Sequence, residues 1–587
     1  MSQPGDLLSA TMVARVVPDV TGLDKQFDYL VPEGLRARVA PGCMVRVPLH
    51  GRRVGSWVIS VGPTSADLPV DKLMPIAKWS GVGPSPEIIE LARWAAIRWG
   101  VNRLRPFLVT ASPPTMVGSV PGGGAGRRVT AGSQLDSQLG SALDSPVDWG
   151  VRRISPNTDP LPIVLDAVAA GPTLVIHPAH AAARAIAARL RRQGLTVALV
   201  PDEWARAAAG VDVVVGSRAA VWAPCPGMAA VVVLDEHDEA LQEERSPTWH
   251  ARDVAIERAR RAGASCVLVS PAPTVTALHW AGDRFQRPPL GTEREGWPLV
   301  EIIDRSDEEP WKRSLVTSPL IRQLRDNSRR VVCVLNTVGR ARLLACRSCR
   351  SLQRCERCDA AVAQNDTGTL VCGRCDLQRP PVCQQCGSGA LALVKRGVTR
   401  VREELEAAAG RPVVAVTATT VDIPEADVYV GTEAVLHRLR SADVVAFLDL
   451  DAELLAPRYR AAEQALVLLV RAARLVGPRS GGGRLLVQTH LPNHEVLQSA
   501  RFADPSRLAR PESARRELLG LPPFRALAVV EGAGTDEFAV ATGLEAAYTS
   551  TGVLLRAESW DDLGRALAAT PRPRGSRLRI EVDPPRR

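Results

Sequence analysis

Between residues 160 and 328 the chain carries short, unbroken apolar runs: PTLVIHPA, LTVALVP, VDVVVGS, AAVVVLDEH and ASCVLVSP. Segments with helical spacing, AAARAIAARLRRQ and WHARDVAIERARRAG, lie between several of them. Strands that are apolar on both faces and alternate with helices predict a mostly parallel sheet covered on two sides. A second unit of the same kind follows, with RRVVCVLN, PVVAVTA, DVYVGTE, DVVAFLDLD and GRLLVQTH as its strands. A cysteine-rich block interrupts this second lobe early.

The flanks read differently. Residues 13 to 78 mix β-formers with Pro-Gly punctuation, as in FDYLVPEGL and PGCMVRVPL, and predict a small β-rich module. PEIIELARWAAIRWG is an amphipathic helix with proline at its entry. Residues 118 to 145 are rich in Gly, Ser and Gln and read as a loop or linker. The tail from about 510 holds FRALAVVEG, DEFAVATGLEAAYTS, TGVLLRAE and RLRIEVDP, a small α+β domain.

At 587 residues the chain is too long for one domain, and about 150 residues per domain suggests about four. No run of 18 apolar residues occurs, nor a basic-then-apolar start, so neither a membrane span nor a signal peptide is expected. A cytoplasmic address is the expectation. The formal charge is +10, and nearly all the positive charge is arginine, the lysines being Lys25, Lys72, Lys78, Lys312 and Lys395. Arginine-biased composition accounts for the total, so contact with nucleic-acid phosphate has to be argued locally. Cys43, Cys225, Cys266 and Cys333 are scattered and read as small buried apolar groups.

The other eight cysteines form four C-x-x-C knuckles: Cys346 and Cys349, Cys355 and Cys358, Cys372 and Cys375, Cys383 and Cys386. Eight thiolates suffice for two tetrahedral Zn2+ ions with no open ligand position, which makes the metal structural. An iron–sulfur cluster is the competing reading. Spacing leaves the pairing open, sequential or nested. Arg347, Arg350, Arg354 and Arg357 surround the knuckles and fit either DNA contact or an ordinary solvated surface.

Two α/β lobes and the acidic strand end Asp235, Glu236, His237, Asp238 raise the question of an ATP site. A phosphate loop needs a glycine-rich turn followed by Lys and Ser or Thr. No Gly-Lys pair exists in the chain, and no lysine lies between Lys78 and Lys312. The acids are therefore read as a solvated turn or helix start, His237 as a loop residue, and Asp449 and Asp451 as loop acids.

The whole sequence resembles the bacterial primosomal replication restart proteins, the PriA family. The resemblance rests on FDYLVPEGLRARVAPGCMVRVP, WHARDVAIERA, VLLVRAARLVGPRSGGGRLLVQTH, LGLPPF, IEVDP and the cysteine array. It implies a multidomain α/β protein with two RecA-like helicase lobes and a two-zinc insert. A β-rich N-terminal DNA-binding module with a winged helix and a C-terminal α+β domain would flank them. The expected bounds are 1–80 for the 3′-end-binding module, 81–150 for the winged-helix-like region and linker, and 151–328 for lobe 1. Lobe 2 is expected at 329–345 and 391–505, the insert at 346–390, and the C-terminal domain at 506–587. The resemblance implies nested cysteine pairing, Cys346 and Cys349 with Cys383 and Cys386, and Cys355 and Cys358 with Cys372 and Cys375. It also implies binding of stalled or branched forks and single-stranded 3′ ends. Primosome or replicative-helicase-loading proteins are the implied partners, and no membrane is. Phe27, Asp28, Tyr29, Arg52 and Arg53 are the candidate DNA contacts.

The departures from the family pattern are concentrated in its ATP elements. The GxTGSGKT loop is absent, DEEH reads Asp235-Glu236-His237-Asp238, and GSATP reads VSPAP. GTQMLAKG begins as VGTEAVLH, and QVAGRAGR falls on RAARLVGP, with Arg474 and Arg479 near it but out of register. The expectation is a fork-binding protein that is not an enzyme. The alternative is an ATP-dependent 3′–5′ helicase with an unconventional nucleotide site.

Overall fold

The computed structural model describes residues 12–23, 25–63, 72–120, 149–305, 315–335, 344–365, 368–393, 398–417, 420–549, 552–573, 575 and 577–585. Among them no helix is long and apolar enough to cross a membrane.

The N-terminal module is a five-stranded antiparallel sheet in the order Phe27–Leu30, Met12–Pro18, Arg52–Pro63, Met44–Leu49, Lys78–Gly81. Alternation puts Ala14, Val16, Val45, Val47 and Val58 into its core. The turn between Leu49 and Arg52 is made by His50 and Gly51, both at positive φ, the two-residue geometry that suits a twisted hairpin. Helices Pro86–Arg98 and Arg105–Ala111 follow, and Val82 bridges to Val117. Of the region 81–150 expected to hold a winged helix and linker, residues 81–120 carry these two helices and the bridge, and residues 121–148 lie outside the described residues.

The first lobe holds a seven-stranded sheet, parallel throughout. Its order is Phe285–Gln286, Trp149–Arg153, Ser265–Ser270, Ala230–Leu234, Thr173–Ile176, Val213–Gly216, Val197–Val200. Both faces are covered, which is why the runs are continuous. Val231 and Val233 pack against Val254 and Ala255 on one side, while Val232 and Leu234 join Ile163, Ile186 and Leu190 on the other.

The second lobe repeats the plan with six parallel strands: Leu299–Asp304, Arg484–Thr489, Val444–Asp449, Val331–Leu335, Val428–Gly431 and Val414–Val416. This corrects the expected lobe boundary at 328. Leu299–Asp304 pairs with Arg484–Thr489, register Leu299↔Arg484 through Asp304↔Thr489, so the second lobe starts at its own edge strand. LVEIID falls inside the expected span of the first lobe. Sheet membership is decided by a partner almost 200 residues away.

The cysteine block carries two small sheets. One pairs Leu344–Cys346 with Leu391–Leu393, and the other joins Val362–Gln364, Leu370–Cys372 and Gln378–Arg379. The C-terminal domain is a four-stranded antiparallel sheet, Glu545–Thr549, Gly552–Ala557, Ala526–Glu531, Arg579–Val582, with two helices. Its helix Trp560–Ala569 lies directly on the early helix Pro86–Arg98. A Cβ on Gly564 would sit 2.2 Å from the Ile97 carbonyl oxygen, so only glycine permits the approach. Asn102 donates to the Ala568 carbonyl at 2.8 Å, and the Arg98 guanidinium stacks 3.9 Å over Trp560.

Candidate metal centres and interlobe cleft

The four knuckles share one backbone design. In each, the residue after the second cysteine has positive φ: Arg350, Asp359, Asp376 and Gly387. Its N–H donates to the carbonyl of the first cysteine, at 3.0, 2.8, 3.0 and 2.8 Å respectively. The first cysteine's N–H in turn donates to Ser351, Ala360, Leu377 or Ser388, at 2.8–3.0 Å. This reciprocal turn aims two sulfurs the same way at each knuckle.

Folding then joins the knuckles as an outer and an inner pair. Cys346, Cys349, Cys383 and Cys386 form one group and Cys355, Cys358, Cys372 and Cys375 the other, each with all ligand atoms within 4.8 Å of one another. Sulfur–sulfur separations are 3.5 Å for Cys346–Cys386, 3.4 Å for Cys349–Cys383, 3.5 Å for Cys355–Cys375 and 3.4 Å for Cys358–Cys372. A tetrahedral ion with bonds of about 2.3 Å places its ligands about 3.8 Å apart, so both groups fit one with little adjustment. The donor set is all sulfur, which suits a soft or borderline cation.

In an open parallel sheet, ligands bind at the carboxyl ends of the strands. In the first lobe, the loop after Trp149–Arg153 is ISPNTDP, residues 154–160, leading into helix Leu161–Ala169. It has neither glycine nor lysine, and its Asn157 and Pro156 groups are turned to protein. The Asn157 amide donates to the carbonyls of Gly296 and Ala473 at 3.1 Å each. The Pro156 carbonyl accepts from Arg474 Nε at 3.0 Å.

Arg474 is the central group of this cleft. It stands on helix Ala461–Val476 of the second lobe and donates to both oxygens of Asp235, at 2.6 and 2.5 Å. One turn earlier, Arg471 donates to Asp238 at 3.0 Å. His177 lies 3.5 Å from Asp235, and His237 Nδ1 is 2.8 Å from the Ser270 hydroxyl. Glu236 accepts from Arg252 at 2.9 Å, from the Thr274 hydroxyl at 2.7 Å and from the Thr274 N–H at 3.1 Å. Burial by itself would raise the Asp235 carboxyl, but the Arg474 guanidinium outweighs it and holds the group well below the usual carboxylate range. Burial pushes His177 and His237 below the ordinary imidazole value, against the opposing pull of Asp235.

The expectation of a solvated acidic turn is therefore corrected. Asp235, Glu236 and His237 are 7%, 1% and 6% exposed, because arginines from both lobes compensate the charge in place of water. Asp451 is likewise buried, accepting from Thr489, from the His490 N–H at 3.0 Å and lying 2.8 Å from its ring. Arg474, out of register with the family pattern, is the residue brought onto Asp235.

A second junction ties three domains together. Asp583 of the C-terminal domain accepts from the Tyr459 hydroxyl at 2.6 Å and from Arg460 at 2.7 and 2.8 Å, while its carbonyl accepts from Gln242 at 3.0 Å. Thr248 of the first lobe exchanges hydrogen bonds with the Val582 backbone at 3.3 Å. Beside this junction lies a cavity of about 770 Å3 bounded by both lobes and the C-terminal domain. Its wall includes nine Asp or Glu residues and four arginines.

In the N-terminal module, Phe27 and Asp28 are half-buried on an edge strand, and Tyr29 is buried in the core. Asp28 is held by Arg15 at 2.9 and 3.0 Å, and the Tyr29 hydroxyl donates to the Pro48 carbonyl at 2.8 Å. Arg52 and Arg53 are exposed at the hairpin tip, Arg53 opposite Pro48.

Residues 15–104 match the family model described as the 3′DNA-binding domain (3′BD) of PriA. The chain is 30% identical over 580 residues to the "Probable replication restart protein PriA" of Mycobacterium tuberculosis, covering 88% of this chain and 86% of that protein. It is 26% identical over 366 residues to the "Replication restart protein PriA" of Bacillus subtilis, covering 57% of this chain and 45% of that one. The protein of Synechocystis gives 25% over 381 residues, with coverages of 59% and 46%. The chain thus spans about half the length of several relatives and most of the mycobacterial one. The solved structure "S. cerevisiae Dbp5 bound to RNA and ADP BeF3" overlaps 63% of this chain and 89% of that one at a TM-score of 0.33 and 10% identity, and nothing further rests on it.

Two parallel-sheet lobes, a module matching the PriA 3′DNA-binding domain model and paired four-cysteine groups define a multidomain α/β protein. The chain belongs to the PriA family of replication restart proteins.

Proposed function

We propose that this protein recognises branched DNA at stalled forks and holds it for replication restart without hydrolysing ATP. The N-terminal module grips a 3′ end, Arg52 and Arg53 contact backbone phosphate, and a winged helix beyond Gly81 lies against duplex. The two four-cysteine groups hold Zn2+ as structural ions. The C-terminal domain and the insert touch fork arms or primosome partners. Phosphate contacts dominate such binding, so affinity falls steeply with salt.

The observation that carries the non-hydrolysing part is the bidentate Arg474–Asp235 pair. It commits the strand-end acid that would hold the metal on ATP to a cation from the same chain. The loop 154–160 adds no lysine to neutralise a β- or γ-phosphate. The test is fork binding and phosphate release on one metal-loaded sample. The expected result is salt-sensitive fork binding with no DNA-stimulated turnover. Turnover that disappears in the Asp235→Ala, Glu236→Ala double variant replaces this reading with an active helicase.

A further inference from the structure

The two four-cysteine groups differ in their surroundings. In the inner group, Cys355, Cys358 and Cys372 are buried among Leu344, Ala360, Val362 and Leu370. The Arg374 N–H donates to Cys372 Sγ at 3.4 Å, and the Arg374 side chain donates to the Cys358 carbonyl at 3.1 Å and to the Arg458 carbonyl of the second lobe. The Ala361 N–H donates to the Leu455 carbonyl at 2.9 Å. The backbone that carries the inner group is therefore the backbone that fastens the insert to the lobe.

The outer group opens to solvent. Cys386 is the one exposed ligand of the eight, and a competing chelator reaches the site through it. Its partner Cys383 is buried and charged once ionised, and such a thiolate needs donors. They come from the short link between the two groups. The Ser351 hydroxyl lies 3.2 Å from both Cys349 Sγ and Cys383 Sγ, and Gln353 Nε2 donates to Cys383 Sγ at 3.4 Å. Gln353 is itself buried and oriented by Arg379, which donates to its carbonyl oxygen at 3.2 Å. The Ser348 N–H adds a donor to Cys346 Sγ at 3.3 Å.

We propose that the two ions are held unequally: the outer site exchanges its metal independently, with Ser351 and Gln353 as positioning residues that set its hold, while the inner ion fastens the insert to the second lobe. This rests on the reading of both groups as zinc sites. Groups that orient metal ligands typically change affinity about 10- to 100-fold when removed. Losing the outer ion leaves the Arg374 and Ala361 attachments in place; losing the inner ion releases them.

The experiment follows zinc release from the full zinc-loaded chain into a coloured chelator, with hydrogen exchange read at the Ala361 amide, the donor to the lobe. Zinc content measured beforehand tests the underlying site reading separately. The expected result is two phases of equal amplitude. Gln353→Leu and Ser351→Ala each speed the fast phase about 10-fold and leave the slow phase alone. Ser351→Thr, which keeps the hydroxyl, restores the native rate. Protection of the Ala361 amide survives the fast phase and is lost with the slow one. A single phase releasing both ions overturns the proposal. So does a fast phase unmoved by Gln353→Leu and Ser351→Ala, or loss of Ala361 protection during the fast phase.

Discussion

Arg474 and Asp235 meet across the interlobe cleft through two hydrogen bonds of 2.6 and 2.5 Å, although 239 residues separate them. Paired fork-to-fork geometry of this kind is the strongest common form of charge-assisted hydrogen bond. With Arg471–Asp238 one helical turn away, it joins the lobes through side chains of this chain alone. Asp235→Asn and Arg474→Gln should each destabilise the protein by about 1–3 kcal/mol, the cost of leaving one buried partner unsatisfied. A double-mutant cycle in denaturant should give a coupling above about 0.5 kcal/mol, and an additive result contradicts the latch.

Asp583 should be the more costly residue to alter. It is 4% exposed and compensates Arg460 and Tyr459, both buried. Asp583→Ala strands a buried guanidinium, for which about 3–5 kcal/mol is expected. Thermal unfolding should show the loss, and exchange should rise together in 246–250 and 580–583, which are hydrogen-bonded to each other through Thr248 and Val582.

Buried histidines should make stability decline on the acid side. His177, His237, His250, His437 and His494 all have folded values depressed by burial, His494 to about 4. A depressed imidazole contributes its full stabilisation above the unfolded value of about 6.5 and loses it as pH falls towards the folded value. The histidine contribution to the unfolding free energy should therefore fall from pH about 6.5 downward, opposed by Glu293, whose carboxyl burial pushes up to about 7, and His494→Gln should flatten the decline between about 6.5 and about 4. The Asp235 contribution, depressed by Arg474, persists until pH falls below its unfolded value of about 3.9.

Gly564→Val should loosen the C-terminal domain from the early helix, since its first carbon would meet the Ile97 oxygen at 2.2 Å. Limited proteolysis should then cut between the helix Pro86–Arg98 and the domain's last helix more readily, with the first-lobe sheet still protected. An unchanged digestion pattern contradicts the close packing.

Arg52 and Arg53 offer a test of the proposed grip. Their joint change to alanine should weaken fork binding uniformly across sequences and lower the salt slope by about 2, roughly one unit for each phosphate no longer neutralised. An unchanged slope removes the hairpin tip from the DNA surface. Tyr29→Phe, by contrast, deletes the hydrogen bond to Pro48 and should cost about 1 kcal/mol of stability.

What the sequence determined by itself is local. Four C-x-x-C spacings announce metal knuckles because each is closed by hydrogen bonds within five residues, Cys346 to Ser351 being one. Continuous runs such as Val231–Leu234 announce a sheet buried on two faces because apolar side chains on both faces have to leave water. Contacts between distant segments set which knuckles pair, put Leu299–Asp304 in the second sheet and make Asp235 and Asp451 buried acids instead of solvated ones. The physical reason is the same each time: a strand edge or a buried charge takes its partner from a distant segment. Arg474 is legible as a cation in the sequence, but its place on Asp235 exists only once both lobes have folded and met.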